Sequence, residues 1–199
     1  MSGSTYPGGG FLGLTGRTPS YLRTHMNKSV RSGSVDPFNS LPIPTNLQVD
    51  FLVKYFLVKL VSYSAGIDRS KSWFPYALQS APMMHSTLAM TAVLWRAEYS
   101  GLQRSIQVEG MRQKGEAIRE IQAQLAKVSS VNDLENLDFL LSTMSTLAIA
   151  AVCDGDLEAA ETHLRGVQTF VSSRGGRGSF DEEFILSKSV DLYVVESAP

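Results

Sequence analysis

Residues 153–176 read CDGDLEAAETHLRGVQTFVSSRGG and combine a turn, a helix and a helix stop. Asp154 or Asp156 can cap the helix start, where Glu158 also suits the positive end of the helix dipole. Apolar residues at helical spacing predict the core face: Leu157, Ala160, Leu164, Val167 and Val171. Gly175 follows the last periodic residue, where a left-handed glycine cap is expected. The stretch therefore predicts a complete helix with both of its ends.

The glycines of residues 174–178 have two rival interpretations. A phosphate-binding loop needs a strand before its glycines and a helix after them, whereas here a helix precedes them. An arginine–glycine box that binds RNA depends on many repeats, and this stretch has one. The helix stop is therefore the favoured interpretation.

A second helix is predicted immediately before this one. Residues 139–153, FLLSTMSTLAIAAVC, form the longest apolar run, which is too short to span a bilayer and favours a buried helix. Asn132 or Asp133 can cap this helix, and Cys153 at its end is expected to be a small core residue. The short turn between the helices predicts an antiparallel hairpin over residues 134–173, capped by Gly175.

Three further helices are predicted upstream. The first begins at Thr45 or Asn46, and its stripe is Val49, Leu52, Val53, Phe56, Leu60 and Tyr63. The next begins near Pro82 and ends at Gly101, and its few charges before Arg96 predict a central position. The third runs from about Gln103 to Lys127, with the stripe Met111, Ile118, Ile121, Leu125 and Val128.

Two other segments complete the predicted fold. Trp73 and Phe74, before Pro75, indicate an aromatic anchor on a connecting turn. A last helix is predicted from residue 181, with Phe184, Ile185, Leu192 and Val195 on its apolar face. With no convincing strand or fixed repeat, the prediction is an all-α, irregular bundle of about six helices built on antiparallel hairpins.

Residues 1–40 are predicted to be a disordered basic tail, rich in Gly, Ser and Pro, that precedes a helical domain at 41–199. The first 35 residues carry four bases and no acid, so the net charge of −1 conceals a mildly acidic remainder. The tail contains no apolar core of a secretory signal, and its glycines and prolines argue against a mitochondrial transit peptide. With one cysteine, neither a disulfide framework nor a multi-cysteine zinc site is expected.

No catalytic, cofactor-binding or metal-binding residue is predicted. The histidines, His25, His85 and His163, form no metal-ligand motif, and His85 is expected to be packed on its helix. A Cys153–His163 catalytic pair rests on residue type alone. The GGGFLG run at 8–13 lacks the flanking strand and helix of a dinucleotide loop, and DGD at 154–156 lacks the later ligands of a calcium loop.

Four segments, in this order, resemble the fungal-specific transcription-factor domain family: residues 36–44, 72–78, 113–125 and 155–176. This helical regulatory region lies C-terminal to binuclear zinc clusters. The resemblance covers about residues 36–196 and is closest to the branch that lacks the zinc cluster. It implies an all-α fold, a nuclear location and transcriptional regulation through protein–protein contacts, with no catalytic residues.

Two departures from the family affect the functional prediction. Its zinc cluster needs six cysteines, so direct sequence-specific DNA binding by that route is not expected. The chain is also shorter at its C-terminus than the family's helical region, which suggests truncation. The expected partners are other regulators or a second copy, with no membrane association.

The alternatives are an effector-binding domain, an enzyme on a helical scaffold, a nonfunctional truncated paralogue and a cytoplasmic location. In the effector-binding alternative, Met83, Met84, Met90 and Trp95 could line a pocket between helices, but core packing explains these residues equally well.

Overall fold

The computed structural model describes residues 40–59, 73–99, 104–127 and 138–176. Within them lie six helices: α1 (Leu47–Lys59), α2 (Trp73–Ala77), α3 (Ala81–Glu98), α4 (Arg104–Leu125), α5 (Asp138–Asp154) and α6 (Leu157–Ser173). No strand occurs in these ranges. The all-α prediction is therefore confirmed.

Helix α3 is the centre of the bundle, as its low charge predicts. It packs against α1, α2, α4 and α5. Pro82 lies in its first turn, where the missing backbone N–H costs nothing, so the predicted start is confirmed. Two of its buried hydroxyls bond to their own helix backbone: Ser86 Oγ donates to the Met83 carbonyl at 3.0 Å, and Thr91 Oγ1 donates to the Thr87 carbonyl at 2.7 Å. Such local bonds let polar residues lie in the core.

Helices α5 and α6 form the predicted hairpin. Their shared core cluster receives side chains from α4 as well: Ala117, Ile121, Leu140, Leu141, Met144, Leu147, Val167 and Phe170. The hydroxyls of α5 are buried, and Thr143 and Thr146 each donate to the carbonyl four residues earlier. Gly166 of α6 lies against Met144, where an added methyl group would come within 3.1 Å of its sulfur. The two helices therefore approach closely at this point.

The ends of α6 follow local rules. Asp156 is the N-cap, and its carboxylate accepts the Ala159 N–H at 3.1 Å. At the other end, the Gly175 N–H bonds to the Ser172 carbonyl and the Gly176 N–H to the Val171 carbonyl. This is a Schellman motif, and the φ of Gly175 is +91°. The predicted glycine cap is confirmed.

Helix α1 begins at an asparagine cap, one of the two predicted choices. Asn46 Oδ1 accepts the N–H groups of Gln48 and Val49 at 2.9 and 2.8 Å. Val49, Leu52, Val53 and Phe56 of its predicted stripe are buried.

The aromatic anchor exists, but its secondary structure was predicted wrongly. Trp73 and Phe74 lie on the one-turn helix α2, not on a turn, because Pro75 falls within a first helical turn that needs no N–H there. Trp73 Nε1 donates to Thr87 Oγ1 at 2.9 Å, and the Phe74 ring lies 5.6 Å from that of Phe56. These contacts attach α2 to α3 and α1.

The predicted core face of α4 was wrong in part. Met111 is 65% exposed and Leu125 is 42% exposed, while Ile121 is buried and Ile118 half-buried. The buried residues of this helix are Ile106, Glu109, Gly110, Gln113, Ala117 and Ile121. They lie on one face of the helix, but several of them are polar or small, so this face gives no apolar periodicity in the sequence.

Two residues near the hairpin turn also differ from prediction. Leu157, expected in the core, is 70% exposed. Cys153, expected to be buried, is exposed at the last turn of α5. Phe170, which the predicted α6 stripe omits, is buried.

Several predictions lie outside the described residues. They concern the tail before residue 40, Leu60, Tyr63, Gly101, Val128, the cap at Asn132 or Asp133, and the last helix from residue 181.

Candidate functional site

A partly buried polar network joins three helices. Glu109 of α4 accepts hydrogen bonds from Arg112, from Gln113 at 2.7 Å and from the Asn46 side chain at 3.3 Å. His85 of α3 completes the network, because its Nδ1 lies 2.5 Å from Gln113 Oε1 and donates to it. The start of α1 is thus connected to α3 and α4 through side chains.

Burial and hydrogen bonds together set the protonation of this network. Burial lowers the pKa of His85 below its ordinary value and outweighs the opposing hydrogen bond to Gln113. Burial opposes ionisation of Glu109, but hydrogen bonds from Arg112, Gln113 and Asn46 hold its pKa below the ordinary value. At neutral pH the network therefore contains a neutral imidazole and a carboxylate. Every member hydrogen-bonds to at least one other, which fits a structural role.

A separate cavity of about 140 Å³ lies between α3, α4 and α5. Its apolar floor is made of small residues: Ala89, Ala92, Gly110, Ala150 and Ala151. Val93 and Gln107 complete the wall, and the exposed Met111 lies at the mouth with Arg96, Lys114 and Asp154. The site combines an apolar interior with charged side chains at its opening.

The floor exists because α3 and α4 approach closely. A methyl group on Gly110 would lie 2.5 Å from the Cβ atom of Ala92, a separation that real side chains do not adopt. Gly115 on the same helix has no atom within 4 Å of such a methyl group. Gly110 is therefore required by the helix contact that forms the cavity floor, whereas Gly115 is not.

Ion pairs surround the cavity mouth. Arg96 of α3 pairs with Asp154 of α5, and Lys114 of α4 lies 3.6 Å from the Asp156 carboxylate. Burial lowers the pKa of the neighbouring His163, and the positive charge of Lys114 adds to that effect. The charged side chains at the mouth thus come from α3, α4 and α5, and Lys114 also contacts the cap of α6.

A family model described as the fungal specific transcription factor domain matches residues 51–194, more than two thirds of the chain. The chain belongs to this family. Comparisons with curated proteins and with solved structures found no match. The match begins within α1 and includes all of α2 to α6.

The effector pocket that the sequence predicts for this fungal transcription factor domain does not form from the expected residues. Met83 and Met84 are fully buried in α3, and neither they nor Met90 line the cavity. Trp95 instead packs in an aromatic cluster, stacked on Tyr99 at 4.0 Å and edge-on to Phe51 at 4.6 Å. The cavity residues escaped prediction because alanine and glycine carry no distinctive sequence signal.

The other candidate residues of the domain are dispersed. His85 is buried as predicted, His163 is half-buried on α6, and Cys153 is exposed at the end of α5. The two acids of the DGD turn have separate uses, since Asp154 pairs with Arg96 and Asp156 caps α6. Across the described ranges, no group of three or more potential metal ligands is brought together. None of the helices described there combines the length and apolar character that crossing a bilayer requires.

Proposed function

We propose that this chain is a non-enzymatic regulatory domain that acts in the nucleus on transcription through contacts with other proteins. The observation that carries the proposal is the family match over residues 51–194. That family is one of transcription factor domains, and its all-α architecture is present here. The expected partners are other transcription regulators or a second copy of the chain.

The tip of the α5–α6 hairpin supports a contact role. Val152 and Leu157 lie on either side of a two-residue turn, and they are 55% and 70% exposed. Isolated exposed apolar residues are common, but two that flank one turn offer apolar area that a partner can bury. We therefore place the first candidate contact surface at this tip.

The surroundings of His85 favour a non-enzymatic role. Its side chain is 6% exposed, and its Nδ1 proton is held by Gln113. A general base must reach the proton that it removes from a substrate, which this burial prevents. Replacing His85, His163 and Cys153 is therefore expected to leave regulatory activity intact wherever the fold survives. Loss of activity in a correctly folded triple variant would favour the enzyme alternative.

A tethered reporter assay tests the proposal. The full chain is fused to a heterologous DNA-binding module, and transcription is measured from a promoter that carries the matching site. The fusion is expected to change reporter output relative to the module alone. The double substitution Val152→Ser and Leu157→Ser is expected to weaken partner affinity by roughly tenfold, about the effect of removing an apolar anchor.

The matched control is Leu47→Ser, which removes an apolar side chain that is 82% exposed at the start of α1. It is expected to leave the reporter response unchanged. Equal loss in both variants would argue against a surface at the hairpin tip. Reporter output equal to that of the DNA-binding module alone would contradict the proposed function.

A further inference from the structure

We propose that the cavity between α3, α4 and α5 is a binding site for a small organic acid with a short apolar body and one carboxylate. This inference goes beyond the proposed function, which assigns no ligand. Binding is measured with the purified chain, whereas transcriptional regulation is measured in cells. Either one can therefore fail without the other.

The size of the cavity limits the ligand. Its volume of about 140 Å³ is close to that of an apolar protein cavity that binds one benzene molecule, ~150 Å³. Sites for drug-sized molecules are larger, ~300–1,000 Å³. The buried part of the ligand is therefore the size of a single ring or a branched chain of a few carbons.

The floor of the cavity favours an apolar body. Here three alanines that are nearly inaccessible to solvent, Ala89, Ala150 and Ala151, leave the space unfilled. Gly110 cannot carry a larger side chain, because Ala92 lies against it. Hydrocarbon that enters this space is removed from water without displacing a protein side chain.

The charges at the mouth favour a carboxylate. Two cations, Arg96 and Lys114, line the cavity, but one acid, Asp154, does so. Arg96 has five N–H donors, more than Asp154 can accept, and Lys114 is held only loosely by Asp156 at 3.6 Å. A ligand carboxylate above the alanine floor can accept charge-assisted hydrogen bonds from both cations.

The geometry also connects the ligand to the arrangement of helices. A molecule in this position touches α3, α4 and α5, and its carboxylate competes with the Arg96–Asp154 and Lys114–Asp156 pairs. Asp156 caps α6, so ligand binding changes the electrostatic surroundings of the hairpin turn. The hairpin tip, with Val152 and Leu157, lies at that turn.

The test titrates the purified full chain with 4-methylpentanoate and, separately, with its uncharged amide of equal size. Binding is followed by NMR chemical shifts of backbone amides. We expect saturable shifts in residues 89–96, 107–114 and 150–154, with a Kd of roughly 0.1–1 mM for so small a ligand. The amide is expected to bind at least about fivefold more weakly, because it loses the charge-assisted bonds at the mouth.

Two variants and two matched controls locate the site. Ala150→Leu fills the cavity and is expected to weaken binding at least about tenfold, and Lys114→Met about fivefold. The controls make the same chemical changes away from the cavity: Ala97→Leu on the exposed face of α3, and Lys127→Met beyond the end of α4. Both are expected to leave ligand affinity unchanged. Circular dichroism checks each fold. If Ala150→Leu does not fold, the comparison of acid with amide and the Lys114→Met variant decide the question.

Several outcomes would overturn the inference. Chemical shifts that do not saturate below ~10 mM would show that the cavity is not a binding site for this ligand. Equal affinity for the acid and the amide would show that the cavity does not prefer a carboxylate. Unchanged binding in folded Ala150→Leu and Lys114→Met would place the ligand elsewhere. If the cavity receives an apolar side chain of a partner protein, neither probe saturates while Ala150→Leu still lowers the reporter response. That result would also reject the ligand.

Discussion

His85 and Glu109 are titratable residues that contribute to a helical core. His85 is 6% exposed and Glu109 is 7% exposed, yet Gln113 lies between them and hydrogen-bonds to both. Because a buried polar group is costly unless it is hydrogen-bonded, the three residues are energetically interdependent. The stability lost on replacing any one of them depends on which buried donors or acceptors then lack a partner.

Stability is expected to fall as the medium becomes mildly acidic. The folded-state pKa of His85 is lowered by burial, so the unfolded chain binds a proton more readily. The stabilising effect of the neutral imidazole is complete above the unfolded pKa of about 6.5 and is lost as pH falls below that value. The loss per histidine cannot exceed about 1.4 kcal/mol per pH unit.

Urea unfolding between pH 7.5 and 5.5 measures this effect. The His85→Asn variant is expected to show a flatter pH dependence than the original chain. Burial also lowers the pKa of His163, so this residue contributes part of the pH dependence that remains. A His163→Asn variant measures that part. An unchanged slope in His85→Asn would show that His85 does not titrate differently on folding.

Glu109 and Glu116 provide a matched pair of substitutions. Each pairs with an arginine three residues later on α4, but Glu109 is buried and also bonds to Gln113 and Asn46. Glu109→Ala is expected to lower the free energy of unfolding by about 1–3 kcal/mol, because buried donors lose their acceptor. Glu116→Ala removes a surface pair and should cost less than about 1 kcal/mol. Equal losses in denaturant unfolding would contradict the network's importance.

At the scale of an element, α4 contains two glycines with opposite expected effects. Gly110→Ala is expected to destabilise the fold by about 1–3 kcal/mol, since its methyl group overlaps Ala92 and forces α3 and α4 apart. Gly115→Ala meets no atom and should stabilise the fold by about 0.5–1 kcal/mol, because alanine favours a helix. Thermal unfolding of both variants decides this, and stabilisation by Gly110→Ala would contradict the close helix contact.

The start of α6 depends on one side chain. Asp156→Ala removes the acceptor for the Ala159 N–H and is expected to cost about 1 kcal/mol. Asp156→Asn keeps a capping oxygen and should cost only a few tenths of that amount. Comparison of the two by urea unfolding separates the cap from the charge. A large loss in Asp156→Asn would assign the effect to the interaction with Lys114 instead.

Element ends were predictable from the sequence because they depend on residues within one turn. Pro82, Asp156 and Gly175 each act on their own backbone, and each prediction is confirmed. The core face of α4 was not predictable in the same way. Met111 and Leu125 are apolar but 65% and 42% exposed, because contacts with α3 select the face of Gly110 and Gln113 instead.

The candidate cavity was less predictable than the helices. Large apolar side chains pointed to a pocket lined by Met83, Met84, Met90 and Trp95, but none of these residues lines the cavity. The space arises where small residues of three helices meet, which only the packed structure reveals. The ion pairs at its mouth join α3, α4, α5 and the cap of α6, so they too depend on tertiary contacts.

At the scale of the whole molecule, the described helices are expected to unfold together. Helix α3 packs against four other helices, and the α5–α6 core receives Ala117 and Ile121 from α4. Shared contacts of this kind make separate melting unfavourable. We expect coincident transitions by circular dichroism and tryptophan fluorescence. A helical signal without a cooperative transition would favour the nonfunctional-paralogue alternative.

We propose that this member of the fungal transcription factor domain family is a nuclear regulatory domain. The most direct measurement is the ratio of nuclear to cytoplasmic signal of the tagged full chain in a fungal cell. The tag alone is the reference. We predict clear nuclear enrichment relative to the tag, which indicates retention by nuclear partners. A ratio equal to that of the tag alone would contradict a nuclear role for this domain.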